Sequence, residues 1–312
     1  MQKSLNTFDL STEPVAIHFS SASLNALNIC LAIIMFGVAL DIKWTHFAEL
    51  VKQKKIVATG LFSQFILLPL ITVLLIAILP ISPGIALGML LVACCPGGNV
   101  SNFFTQLARG HVALSVTLTA FSSLLAFIIT PVSFFLWSSL FPSLAAEVRT
   151  FEIDFTSLII NMVSILFVPL VLGMWVSARF PSFSKKIASP IRIISMLMLT
   201  GFIAVAVLNN QEGFAANLSE VFWIVLLHNG SALAGAYFFS AALKNDEAVN
   251  RTVAIETGIQ NSGLGLILIF NFFDGNTAMA VVAAWWGVWH LISGFTFAAF
   301  FRSRPTHQVV QS

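Results

Sequence analysis

Glu256, Gln260 and Asn261 stand together in "AIETGIQNSG" (254–263), inside one of the most apolar regions of the chain. A carboxylate held in hydrocarbon costs about 2.5–3.5 kcal/mol on insertion scales. It therefore needs a proton, a basic partner or a cation. The chain has 13 acidic residues, and Glu256 alone falls deep within an apolar run. Arg251 lies five positions away, toward one end and off the same helical face, and no basic residue sits at comparable depth elsewhere. A proton or a metal cation remains. Neutral oxygen donors favour the cation. "CCPGGNVSN" offers Ser101 and Asn102, and "ALSVTLTAFSS" offers Ser115 and Thr119, four apart and so on one helical face. Gln64 is a lone amide in "LFSQFILLP", and a break after Glu256 frees carbonyls at Thr257 and Ile259. Oxygen donors of this kind suit a hard cation such as sodium.

Taken singly, these residues have plainer roles. Ser115 and Thr119 can bond back to their own helix, and Gln64 can join two helices. His228 in "LLHNGSALAG" reads as structural, while His290 in "WGVWHLISG" is either a core histidine or a substrate contact. Trp285, Trp286 and Trp289 read as packing or interface aromatics. The argument for an ion site rests on the ensemble around one unpaired carboxylate.

The elements that position these residues are membrane-spanning helices. Of 312 residues, 58% are hydrophobic and 9% charged, against about 25% charged in soluble domains. That composition excludes a soluble surface, and the scattered basic residues exclude a nucleic-acid patch. Cys30, Cys94 and Cys95 form neither a disulfide framework nor a zinc spacing. No activated nucleophile or catalytic metal cluster stands out, so an enzyme is not expected. The fold expected is an all-α integral membrane protein with nine spans, near 22–41, 55–79, 84–108, 112–140, 155–178, 188–208, 217–243, 247–273 and 276–301. Residues 1–21 read as a polar tail outside, without a cleaved signal, and 302–312 as a cytoplasmic tail. With the N-terminus outside, 13 of the 15 basic residues fall on the inner side and only Lys3 and Arg149 outside, as cytoplasmic loops require.

Two spans are interrupted. Pro96, Gly97 and Gly98 break the third, and Gly258 to Gly263 break the eighth. Gln64 lies 32 positions before Pro96, and His228 lies 32 before Gln260. The odd offset of five spans makes the broken helices antiparallel, which is the pattern of an inverted repeat with a transporter's binding site at the breaks.

In these residues the chain resembles the bile acid:sodium symporter family. The features that carry the resemblance are "IIMFGVAL", "SQFILLPL", "CCPGGNVSN", "LARGHVALSVTLTAFSS" and "ETGIQNSGLG", in order over roughly residues 30 to 300. The resemblance implies a panel domain (about 22–53 and 155–216) and a core domain (about 54–140 and 217–301) with two crossing discontinuous helices. It implies two sodium ions. The first would be held by Ser101, Asn102, Ser115, Thr119 and Glu256. The second would be held by Gln64, Glu256 and Gln260 with the carbonyls of Thr257 and Ile259. Asn99, Asn261 and His290 would face the substrate, an organic anion such as a bile acid, a sulfated steroid or a small carboxylate. Some members have Asn after the histidine of the last span, where this chain has Leu291. The function expected is sodium-coupled import of that anion at a plasma membrane (a bacterial inner membrane). No nucleic acid and no obligate protein partner are expected. The alternative left open is proton coupling or exchange with Glu256 as the proton carrier.

Overall fold

The computed structural model describes residues 21–42, 52–209 and 211–304. Both expected tails lie almost wholly outside them. Every expected apolar run is helical within the described residues. Helix α1 is Ser21–Leu40. Helices α2 (Lys54–Phe62) and α3 (Leu68–Ile78) are joined without interruption by a π turn, Ser63–Leu67. Helix α4 (Pro83–Cys94) leads through the first break to α5 (Val100–Leu107), and α6 (Val112–Ser138) follows. A short helix that the hydropathy does not announce, α7 (Pro142–Thr150), precedes α8 (Phe155–Met162), a second π turn (Val163–Phe167) and α9 (Val168–Arg179). Then come α10 (Pro181–Asn209), α11 (Gln211–Ala242), α12 (Glu247–Gly258), α13 (Ser262–Phe272) and α14 (Thr277–Arg302). Among the described residues, five stretches are long and apolar enough to cross a membrane: Lys54–Ile78, Val112–Ser138, Thr156–Arg179, Leu218–Ala242 and Thr277–Arg302.

Both π turns stand directly before a Leu-Pro or Val-Pro pair, Leu68-Pro69 and Val168-Pro169. Proline has no N–H and crowds the carbonyl four residues back. Widening one turn accommodates it without ending the helix. In the first case the wide turn holds Ser63 and Gln64 buried.

Outward faces are apolar. Leu74, Ile78, Trp223 and Phe238 are all more than half exposed, which is the arrangement a lipid solvent demands. The short helices α4 and α13 are buried almost all round, and the largest apolar cluster runs through them and α14, with Leu90, Val92, Ile269, Val282 and Trp286 in it. Helix α12 is also buried from Val249 to Gly258 but carries polar residues there, Arg251 and Glu256 among them. Helix α1 packs on α9 and α10, while α11 packs on α12 and α14.

The two breaks meet. Gly98 N donates to Ile259 O at 2.8 Å, and Asn261 N donates to Pro96 O at 2.9 Å. Gly97 and Gln260 thereby pair as an antiparallel bridge. Unwound backbone buried in the molecule needs partners for its N–H and C=O groups, and each break supplies them to the other. A Cβ on Gly98 would lie 3.0 Å from Gln260 O, so a side chain here would press the two breaks apart by a few tenths of an ångström.

Candidate ion and substrate site

Glu256 is 2% exposed. Three hydroxyls donate to it, and they come from the two helices expected to supply them. Ser101 on α5 reaches Oε2 at 2.7 Å, Ser115 on α6 reaches the same oxygen at 2.9 Å, and Thr119 reaches Oε1 at 2.5 Å. Ser101 and Thr119 are 3.3 Å apart, and Thr105 donates to Ser115 at 3.3 Å. Ser115 and Thr119 thus turn to the carboxylate instead of to their own helix. Asn102 makes no side-chain bond to Glu256, and its Oδ1 is buried without a partner. Arg251 pairs with Glu247, and among the described residues no basic side chain is paired with Glu256. The Cβ that Gly97 lacks would fall 2.5 Å from Glu256 Oε1, so the Gly97 backbone packs close beside the carboxylate.

Gln64 and Gln260 form a reciprocal amide pair, at 2.9 Å and 3.2 Å. The second hydrogen of each NH₂ is also used: Gln64 donates to Cys95 O at 2.9 Å and Gln260 to Thr257 O at 2.7 Å. The pair therefore ties the π turn of α2–α3 to both breaks. The carbonyls of Thr257 and Ile259 each accept one hydrogen bond, from Gln260 and from Gly98. A carbonyl has two lone pairs, so each keeps one free. The oxygens of Glu256 are engaged by the hydroxyl set, and no hydrogen bond joins them to the amide pair.

Chemically, the donor set is one carboxylate, hydroxyls, amides and backbone carbonyls. Among the described residues there is no cluster of His, Cys, Asp and Glu that could hold a transition metal. The set suits a hard monovalent or divalent cation.

The profile of the sodium bile acid symporter family matches residues 28–217. The "Uncharacterized sodium-dependent transporter YocS" of Bacillus subtilis is 32% identical over 89% of this chain and 83% of its own length. The chain belongs to the sodium bile acid symporter family. It is thus of a sodium-dependent transporter family and not an enzyme. Two more relatives show the family's spread. Rice "Probable sodium/metabolite cotransporter BASS2, chloroplastic" is 29% identical over 89% of this chain, which spans 64% of that protein. The "Ileal sodium/bile acid cotransporter" of Cricetulus griseus is 28% identical over 76% of this chain and 67% of its own.

The other expected contacts of this symporter-family chain are more dispersed. Asn99 is exposed, at the start of α5, and makes no capping bond. Asn261 is half-buried, and its Oδ1 accepts from Leu264 N at 3.1 Å, capping α13. His290 is 7% exposed and its Nδ1 has no partner. No side-chain hydrogen bond joins these three. His228 bonds Thr72 Oγ1 through Nε2 at 2.7 Å and meets Trp286 edge to face, a structural contact.

Three polar residues of the site are not singled out by the sequence. Asn229 donates to Gly258 O at 2.7 Å, satisfying the last carbonyl of α12 at the break. Ser63 accepts from Thr257 at 2.9 Å. Thr105, one turn beyond Ser101, extends the hydroxyl chain. Each is adjacent to, or one turn from, a residue that the sequence does single out, and that adjacency is the signal available.

Proposed function

We propose that this chain is a sodium-coupled symporter that imports an organic anion by alternating access. The observation that carries the reading is Glu256, 2% exposed and bonded by three hydroxyls with no basic side chain paired to it among the described residues. Three hydroxyls donating into two oxygens suit an ionised acceptor, since a protonated acid would present a hydrogen of its own. Such a charge is balanced by a cation, and family membership supports sodium. Ser101, Asn102, Ser115, Thr119 and Glu256 would hold the first ion. Gln64, Gln260 and the carbonyls of Thr257 and Ile259 would hold a second, with Glu256 shared. The unpartnered Oδ1 of Asn102 and the free lone pairs of both carbonyls fit that assignment.

The substrate, a bile acid, sulfated steroid or small carboxylate, would meet Asn99, Asn261 and His290. The name of the hamster relative supports an organic anion. The charge distribution over the loops supports nine crossings with the N-terminus outside, and the membrane would be a plasma membrane. A panel of α1, α8–α9 and α10 would rock against a core formed by the other helices. The packing of α1 on α9 and α10 supports that division.

Uptake of labelled anions into proteoliposomes tests the reading. We expect accumulation that follows an inward sodium gradient and disappears in potassium. Uptake indifferent to sodium and driven by a pH gradient alone would replace it with proton coupling through Glu256.

A further inference from the structure

Arg251 is 1% exposed and lies outside the site just described. Its Nε donates to Glu247 Oε1 at 3.0 Å. One terminal nitrogen donates to Ala108 O at 3.0 Å and to Phe301 O at 3.2 Å, and the other reaches Arg304 O at the longer distance of 3.5 Å. The guanidinium also lies 4.8 Å from the Phe301 ring centroid. Glu247 accepts a second bond, at 2.8 Å, from Tyr237, the one tyrosine of the chain. Tyr237 in turn stacks on Phe301 at 5.4 Å.

Ala108 is the C-cap of α5, and Phe301 is in the last turn of α14. The final carbonyls of a helix have no partner within it and carry its negative dipole end. A buried guanidinium with five donors in a fixed fork satisfies two such ends at once. The neighbouring turn is bound to the same helix: His111 N lies 2.7 Å from Thr252 Oγ1 and 3.2 Å from Ala248 O. The helices gathered here each carry a candidate site residue: α5 has Ser101, α12 has Glu256 and α14 has His290. Arg251 precedes Glu256 by five residues, about 7.5 Å of helix, and Ala108 follows Ser101 by only seven positions. Sliding α12 against α5 would break the Arg251 bonds and the 2.7 Å contact between Ser101 and Glu256 together.

We propose that Arg251 is a positioning residue for the ion site: with Glu247 it fixes the register of α12 against the ends of α5 and α14, and so the distance from the carboxylate to its hydroxyls. The proposal rests on the ion-site reading of Glu256. A buried ion pair is weak evidence of stability, but its best-attested use is to fix one register among several.

The test is the sodium dissociation constant, a concentration fitted to the dependence of melting temperature on sodium, measured on the purified full chain in detergent with potassium making up constant ionic strength. In Arg251→Gln we expect that concentration to rise by about 10-fold, the lower end of what losing a group that orients the ligands costs a metal site. In Arg251→Lys we expect a smaller rise, because charge is kept but the planar fork is lost. Variants that melt lower in potassium yet match the parent's half-saturating sodium would overturn the proposal, leaving Arg251 a structural residue only. If Arg251→Gln does not fold, Arg251→Lys decides alone: an unchanged sodium requirement overturns the proposal and a raised one supports it. A parent protein with no sodium response would instead overturn the ion-site reading, and this proposal with it.

Discussion

Replacing Glu256 by Gln is the sharpest test of the ion site, because the structure predicts opposite effects on folding and on binding. The side chain keeps its volume: a carbonyl at the Oε2 position still accepts from Ser101 and Ser115, and the NH₂ at the Oε1 position donates to the Thr119 hydroxyl, which turns to accept. Arg251 is bonded to Glu247, so neutralising Glu256 takes no partner from it. Removing a charge from a site 2% exposed also removes its desolvation cost. In potassium the variant should therefore melt no lower than the parent. Sodium binding should collapse. Opposite unit charges about 4 Å apart attract by about 4 kcal/mol at an effective dielectric near 20, which is about a thousandfold in affinity.

The assay is melting temperature in sodium against potassium at fixed ionic strength. At a sodium concentration about 100 times the parent's dissociation constant, binding stabilises the parent by about 2.7 kcal/mol. A variant about a thousandfold weaker gains about 0.1 kcal/mol or less under the same conditions. A Glu256→Gln protein that keeps a sodium-dependent rise of the parent's size would refute the assignment of the carboxylate to the ion. One that fails to fold in potassium would refute the claim that its charge is a cost to the empty fold.

Gly97→Ala should abolish sodium-stimulated uptake and lower stability by about 1–3 kcal/mol, the usual cost of overpacking, since its methyl would lie 2.5 Å from Glu256 Oε1; uptake and chemical denaturation check both. Gln260→Ala removes the partner of Gln64 and the donor to Thr257 O, and should reduce the Hill coefficient of uptake against sodium as the second ion is lost. Asp154 accepts from the Ser157 hydroxyl and from the N–H groups of Ser157 and Thr156, which hold its carboxyl below the usual range. Its contribution to stability is then complete above the ordinary carboxylate value of about 3.9 and is lost as pH falls through the lower folded one. Asp154→Asn should remove that acid-side loss, which parallel melting curves at decreasing pH would reveal.

Much of the site is legible in the chain because it is made of rare events. A lone Glu in an apolar run, and proline and glycine in two spans, are exceptions to the pattern around them. The four-residue spacing of Ser115 and Thr119 fixes their common face whatever the tertiary structure. The bonds between the breaks are not legible. Gly98 and Ile259 are 161 positions apart, and nothing local says that one break donates to the other. The same holds for Asn229 and Gly258, where an amide in an ordinary helical run turns out to serve the end of another helix. The π turns leave hydropathy unchanged, so only Pro69 and Pro169 hint at them. Helix ends fail for a related reason: α10 begins at Pro181, in the polar "PSFSKKIASPIR", where hydropathy alone marks a loop.

On the proposed reading, the crossed breaks are where an ion and a substrate would act on one another. Ser101, two residues after Asn99, touches Glu256, and Glu256 is five residues before Asn261. Between them the backbone is locked by Gly98 N to Ile259 O and by Asn261 N to Pro96 O. A cation entering among the hydroxyls needs their oxygens turned toward it, whereas their hydrogens now point at the carboxylate. That rearrangement acts on α5 and α12 at positions within one or two turns of Asn99 and Asn261. A tenfold mutual increase in ion and anion affinity needs about 1.4 kcal/mol of coupling, reciprocal by linkage. One hydrogen bond to a charged group contributes about 1.5–3 kcal/mol. A change in a single Glu256 contact is therefore large enough to carry the coupling, and no rearrangement of the apolar body is required for it.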